Sequence, residues 1–493
     1  IVAAIIGLLS YVYWNLTKNH NYWKSRNVPG PEPKLFGHLS RKLVLNSLVV
    51  FNADKIYREF KSKHPFIGVF THNEPKLFIL SPELIKDILV KRFKNFHDNE
   101  IVFEINSDAD PILSFNPFIL TGEAWKEKRA EITTALTPNR VKAMFPLIEN
   151  VSSKLNEYIS KNTETTIEVC EMSAKYTVDV VSNCIFGIDA GSFKSAGDDV
   201  DEPMIRKMAR NLFKPTGKFL ICSIIRTILP FTRRFINEPL IPKETERFFT
   251  KLMTDAIEYR SKNHVDRVDF LEHLINLNAK KNLSALEMAS HSISFFLDGF
   301  ETSSVAMGFT LYELGNHQDV QDRLRAEINA VKVADFETIS ELIYLDQVIH
   351  ETLRLWPLGV LAMKVCTEKC EFELEPGKSI PIEPNTVVML PYWSIHHDDR
   401  IYENPNQFNP DRFADDKLKM HKEAGHYYGF GNGPRICLGM RFALTQLKCG
   451  IFHVIKHYRL ISDNNKTITP IQYDEKEFLP KAKGGLWVDF EKL

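Results

Sequence analysis

A chain of 493 residues is longer than one ordinary core organises, yet no Ser/Gly/Pro-rich linker, low-complexity tract or internal repeat divides it. The net charge of −1 argues against a general nucleic-acid binder. Seven cysteines, odd in number and thinly spread, argue against a disulfide framework and for reduced thiols in a cytosol-facing domain. Cys366 and Cys370 lie four apart without a second ligand pair and are expected to be structural thiols.

Ile1 to Trp14 is almost entirely apolar but shorter than the ~20 residues of a spanning helix. The chain starts without Met, so the run is expected to extend upstream. Lys18, Lys24 and Arg26 follow it and place the next domain on the cytosolic side. No small-residue cleavage site follows, so an uncleaved anchor is preferred to a signal peptide. Asn15-Leu-Thr17 is a glycosylation sequon that this topology would leave unmodified. Residues 1–26 thus read as anchor and linker, and 27–493 as one large domain. Pro29-Gly30-Pro31-Glu32-Pro33 is stiff and extended, a hinge or a plain linker.

Residues 65–81 predict two short strands with a turn at Asn73 to Pro75. The stretch 97–121 is irregular and rich in Phe. Trp125 and Arg129 share a helix face at i,i+4. Asp179 to Gly187 reads as a core helix. Residues 212–240 interleave apolar runs with Arg226, Arg233 and Arg234, which suits an interfacial element or a buried hairpin.

Ser284 to Asn316 has the length and apolar content of a long central helix. Within it, Gly299, three residues before the hydroxyl of Thr302, can open the helix locally. Glu351 and Arg354 can pair along one helix face.

Near the end stands Phe430-Gly-Asn-Gly-Pro-Arg-Ile-Cys437-Leu-Gly439, followed by Phe442-Ala-Leu. A helix is expected to begin near Cys437, whose positive field favours the thiolate that binds metal. Glycines let the backbone approach a flat ligand, and Arg435 can meet a carboxylate as a planar fork. An anionic planar metal macrocycle would use all of these. The competing reading is a buried structural cysteine after a Gly/Pro turn.

The stretch fits F-x-x-G-x-R-x-C-x-G at Phe430, Gly433, Arg435, Cys437 and Gly439, and so resembles the haem signature of the cytochrome P-450 monooxygenases. The resemblance extends from the proline hinge to the C-terminal segment, with an insect flavour at Leu136 to Phe145. It implies a mainly α fold with small β-sheets, built around a long helix over the haem.

On this resemblance Cys437 is the axial ligand of haem b. Trp125, Arg129, Phe430, Gly433, Arg435, Gly439 and Ala443 hold the haem. Thr302 is the hydrogen-bond partner of dioxygen, and Glu301 feeds protons through water. Glu351, Arg354 and Arg412 form a buried support beneath the cysteine loop. Phe115, Phe118, Ile119, Phe295, Val360, Leu361 and Leu479 are candidate pocket-lining residues. Segment 212–240 would be a substrate-access lid, and Phe478 to Gly485 a hairpin whose tip reaches the pocket.

Lys364 stands where many relatives have an arginine on a propionate, and lysine lacks the bidentate fork. His396-His-Asp398 resembles a family turn, so its histidines need not bind metal. Asp298 replaces a small residue and lies one turn before Thr302 on nearly the same face. It is expected either to turn aside to a backbone amide or polar neighbour, or to order distal water or favour substrates with a basic nitrogen.

The expected activity is insertion of one atom of O2 into a lipophilic substrate, a xenobiotic or a lipid- or hormone-like compound. Electrons would come from NADPH through a separate reductase, with cytochrome b5 as a further partner, at the cytosolic face of the endoplasmic reticulum. Lys126, Lys128, Arg441 and Lys448 are candidates for a basic docking face. The rivals are a peroxide-driven or isomerase-type haem-thiolate enzyme, against which Glu301 and Thr302 argue, and a haem sensor or carrier without turnover.

Overall fold

The computed structural model describes residues 1–39, 47–193, 202–212, 216–265 and 267–493. Helices dominate, and the longest is the central helix Ala285–Asn316. It opens with a full capping box: Ser284 accepts from the Glu287 amide, and Glu287 reaches back to the Ser284 amide. No Pro interrupts it, and most of its side chains are buried, as a helix apolar on nearly every side requires. Its main partner is Val169–Phe186, which ends on Gly187 in the left-handed conformation. The two backbones cross closely at Gly308, where a Cβ would stand 2.5 Å from the Cys170 sulfur.

Among the described residues, three small sheets flank the helices. The largest orders its strands Phe66–Thr71, Glu74–Ile79, Val387–Leu390, Ala362–Val365 and Asp98–Asn99. All its neighbours are antiparallel except Glu74–Ile79 with Val387–Leu390. The expected 65–81 hairpin forms, but its turn is His72–Asn73, and Pro75 lies inside the second strand opposite Phe70. A second sheet joins Ile167–Glu168, Trp487–Lys492 and Tyr458–Ser462; the third pairs Cys370–Glu375 with Lys378–Ile382. One apolar core surrounds the central helix, and another lies against the five-stranded sheet.

The N-terminal run forms the helix Val2–Thr17, with Ile5, Ile6, Leu8 and Leu9 exposed. Among the described residues no helix is long and apolar enough to cross a membrane. Its foot is fixed to the domain. Asn15 is 1% exposed, donates to the Ile228 carbonyl, and accepts from Asn73 at its own carbonyl. Trp23 is packed on Gly68 and donates to the Val69 carbonyl, and the Gly68 amide donates to Pro29. Residues 23–29 are therefore tied to the sheet.

Segment 212–240 contains the helix Gly217–Ile228 and the 3-10 turn Pro230–Arg234; residues 213–215 and the Arg233 side chain lie outside the description. Ile221, Ile224, Phe231 and Phe235 are exposed, and Tyr11 of the N-terminal helix meets Phe231 edge-on at 6.4 Å. These exposed apolar side chains and those of the N-terminal helix are therefore joined through a ring contact.

Candidate active site

The helix after the cysteine starts at Met440 with Gly439 as its N-cap, three residues later than the expected start. The residues before it are taken up by a 3-10 turn, Gly433–Arg435, whose cap Ile436 donates to the Gly433 carbonyl. Cys437 thus sits just ahead of the helix. Its own amide donates to the Phe430 carbonyl at 2.8 Å, and the Gly439 amide is directed at its sulfur. Ala443 closes the first helical turn on Gly439.

Gly433 has φ +68°, and a Cβ there would meet the Leu89 carbonyl oxygen at 2.0 Å. Gly433→Ala is therefore expected to destabilise the fold by at least about 1–3 kcal/mol from backbone strain alone, before the clash is counted. A thermal melt checks this, and an unchanged melting temperature would contradict the loop geometry.

The arginines around the loop have distinct tasks. Arg435 donates to the carbonyls of His97, Pro117 and Leu120 at 2.7–2.8 Å and stacks 4.1 Å above the Trp125 ring. Asp98 lies at 3.5 Å from its Nη2. Much of the expected carboxylate-binding fork is therefore committed to clamping 97–120 onto the cysteine loop. Among the described residues Arg129 makes one hydrogen bond, to the Ile436 carbonyl at 2.7 Å. Trp125 is 4% exposed, and its indole N–H has no partner among the described residues. A buried donor without an acceptor is costly and points to a group that completes it.

Beneath the loop, Glu351 and Arg354 are both fully buried and doubly bonded, at 2.8 and 2.9 Å. Arg412 adds a contact at 3.3 Å, and the Asn409 amide one at 2.9 Å. Arg354 also donates to the carbonyls of His396, Pro405 and Gln407. His396 accepts the Tyr428 amide on its other side, two residues before Phe430. The charge cluster is thereby wired to the cysteine loop. Burial lowers the pKa of His396, so it remains a neutral connector.

On the opposite side, Thr302 and Asp298 stand one turn apart on the central helix. Thr302 Oγ1 donates to the Asp298 carbonyl at 2.6 Å. The expected local opening does not break the helix, which runs continuously through Gly299. Gly299 faces Val181, and its carbonyl accepts from the Gln446 side chain, which also donates to Ser303.

Asp298 and Cys437 are each enclosed by protein yet expose their polar atoms, and the charge of one is felt by the other. They face one interior space. Burial pushes the Cys437 thiol up to about 11; Asp298 adds to the rise, while the Gly439 amide and Arg129 oppose it. Such a thiol is a poor free nucleophile at neutral pH. A metal cation at the sulfur would reverse the balance and hold the thiolate. Burial alone pushes the Asp298 carboxyl up to about 7, and among the described residues no backbone amide or polar neighbour takes it aside. That expectation is corrected: the side chain opens into the interior.

Glu301 points elsewhere. It is buried and ion-paired with Lys481, which also meets Glu477 at 3.5 Å. With Glu171, Arg206 and Arg210 they line a polar cavity of about 180 Å³. Lys481 was not among the expected site residues, although it lies within the Phe478 to Gly485 segment expected to reach the pocket.

Several pocket expectations change. Phe295 is packed between Phe270 and Phe442, with ring centroids at 4.9 and 5.2 Å, and belongs to the core. Val360 and Leu361 are buried in the core against the sheet. Phe115 and Ile119 are half-buried, Phe118 is exposed, and Leu479 is half-buried.

Two docking candidates also fail. Lys128 is bound to Glu131 and Glu287, and Lys448 is buried on Asp346 and the Ser340 carbonyl, so neither presents a free surface charge. Lys364 is buried on Asn99 at 2.6 Å; burial first, then Arg435, lowers its pKa to about 7, while Asp98 opposes.

The sequence profile of the Cytochrome P450 family matches residues 40–487. This chain belongs to the cytochrome P450 family. Among curated relatives, the probable cytochrome P450 28d1 of Drosophila melanogaster is 38% identical, over 99% of this chain and 97% of that protein. The probable cytochrome P450 28a5 of the same fly is 35% identical over 100% and 99%. Cytochrome P450 6a9 is 32% identical over 100% and 99%. The mostly helical architecture with small sheets fits this family, and the chain is a P450 monooxygenase of insect type. The family implies haem iron with a cysteine thiolate. The unpartnered Trp125 indole, the lightly used Arg129 and the enclosed, open-faced Cys437 fit such a group.

Proposed function

We propose that this P450 inserts one atom of O2 into a lipophilic substrate, using electrons from NADPH delivered by a separate reductase. The observation that carries this reading is Cys437 facing Asp298 across one interior space, with Thr302 one turn along the same helix. Haem bound there through Cys437 would supply the activation of dioxygen. Trp125 and Arg129 would hold its propionates. Phe430, Gly433 and Gly439 shape the loop on the cysteine side.

The chain's own part is to position and deliver protons. The Thr302 hydroxyl, tethered to the Asp298 carbonyl, presents its lone pairs to the space and can relay a proton after rotating. Glu301 supplies protons only after parting from Lys481, so the ion pair gates delivery. In Thr302→Ala, product formation is expected to fall by about 10²-fold while NADPH is still consumed and lost to peroxide. Unchanged product per NADPH would remove Thr302 from the relay.

Membrane attachment on the cytosolic face of the endoplasmic reticulum is part of the same reading. Its support is the exposed apolar helix Val2–Thr17 together with Ile221, Ile224, Phe231 and Phe235. A lipophilic substrate partitions into such a membrane, and cytochrome b5 and the reductase would meet the protein there. The reading as a whole is tested with purified protein, reductase, NADPH and isotopically labelled O2. Product carrying one labelled oxygen supports it. Turnover with peroxide but never with reductase favours the peroxide-driven alternative.

A further inference from the structure

The carboxylate of Asp298 is the feature that the reaction chemistry leaves unused. It projects from a helix whose neighbouring residues Phe295, Phe296, Leu297 and Phe300 are all apolar. Among the described residues, no hydrogen bond or ion pair reaches it, and burial is the one influence on its acidity. Among the described residues no Lys, Arg or His charge is felt there. The other acidic group of this turn, Glu301, is different: it faces Lys481. Arg129, the nearby cation, is tied to the Ile436 carbonyl and acts on Cys437.

An unpaired carboxylate in an apolar enclosure keeps its charge at a cost, and the cost falls when an opposite charge enters its space. The protein does not provide that charge, whereas the interior space is where a substrate would sit.

We infer that Asp298 is a specificity-determining residue that selects lipophilic substrates bearing a positively charged nitrogen. This rests on the proposed monooxygenase reading for the place of the substrate. Position 298 lies about 6 Å along the axis from Thr302, four residues at 1.5 Å each. A nitrogen held at Asp298 therefore leaves the apolar body of the molecule within reach of Thr302 and of the space that Cys437 also faces. The attraction is strengthened where the bound molecule displaces the water that the open carboxylate would otherwise meet. Neutral molecules of the same shape gain nothing from it and leave the carboxylate unpaired.

The test uses haem-loaded protein without reductase and two isosteric probes. One is 4-phenylbutyl-trimethylammonium; the other carries a tert-butyl group in place of the trimethylammonium. The quaternary cation cannot ligate iron and does not titrate, so only charge distinguishes the pair. Dissociation constants come from calorimetry, with the haem spin-state shift as a second readout.

The wild type is expected to bind the cation at least about tenfold more tightly than its isostere, as a desolvated charge pair requires. Asp298→Asn is expected to bring the two within about twofold, chiefly by weakening the cation, and Asp298→Glu to restore a preference. A wild type without preference overturns the proposal, whatever the variants do. So does an Asn variant that keeps the preference. Failure of the monooxygenase reading has a separate signature: with reductase and NADPH neither probe is oxidised, although the cation is still preferred in binding.

Discussion

Cys437→Ser is expected to abolish product formation and to remove the thiolate signature from any haem that remains. The sulfur is held by the backbone. Its amide is fixed on the Phe430 carbonyl, the Gly439 amide points at it, and the following helix starts at Met440. The serine hydroxyl would occupy the same place but stays protonated far more readily than a metal-bound thiol, so the anionic ligand is lost. The loop is built from backbone hydrogen bonds and the Arg435 clamp, so the variant should still fold. Circular dichroism, haem content and product formation separate the outcomes. A folded Cys437→Ser protein with undiminished product formation would contradict the assignment.

The second large effect is expected beneath the loop. Arg354→Ala leaves the Glu351 carboxylate fully buried, with only the 3.3 Å contact of Arg412 and the Asn409 amide. Breaking a buried pair in this way costs about 3–5 kcal/mol. That is a large share of the roughly 5–15 kcal/mol typical of a folded domain. Three carbonyls, of His396, Pro405 and Gln407, also lose their donor.

Arg412→Ala should be milder, because its contact with Glu351 is longer and its side chain retains 10% exposure. Arg354→Lys should not rescue, since an ammonium cannot reproduce the fork that reaches both Glu351 oxygens and the carbonyls. Purified yields of folded, haem-loaded protein rank the variants. Equal yields for Arg354→Ala and Arg412→Ala would contradict the geometry.

The cysteine loop and the Glu351–Arg354 pair follow from local spacing, whereas Arg412, 61 residues from Glu351, was placed only by the family resemblance. The central helix was legible from local pattern too: its capping box and apolar run lie in one continuous stretch. What was not legible depends on segments far apart in the chain. Glu301 turns to Lys481, 180 residues away, and nothing in the helix sequence specifies that partner. Lys128 and Lys448 resemble surface cations by type, yet Glu287 and Asp346 of other helices neutralise them.

Phe295 lies close in helical phase to Thr302, but two further helices supply Phe270 and Phe442 to enclose it. Asp298 could not be placed by helical phase alone. Its open carboxylate follows from the absence of a cation or amide on every element packed around it among the described residues.

A haem held by the thiolate of Cys437 is tested most directly by the absorption spectrum of the purified, reduced protein under carbon monoxide. The strongly red-shifted Soret band of thiolate ligation is expected in the wild type and is expected to be absent in Cys437→Ser. A wild-type band at the position given by imidazole ligation, or a red-shifted band that survives the Cys437→Ser substitution, would contradict it.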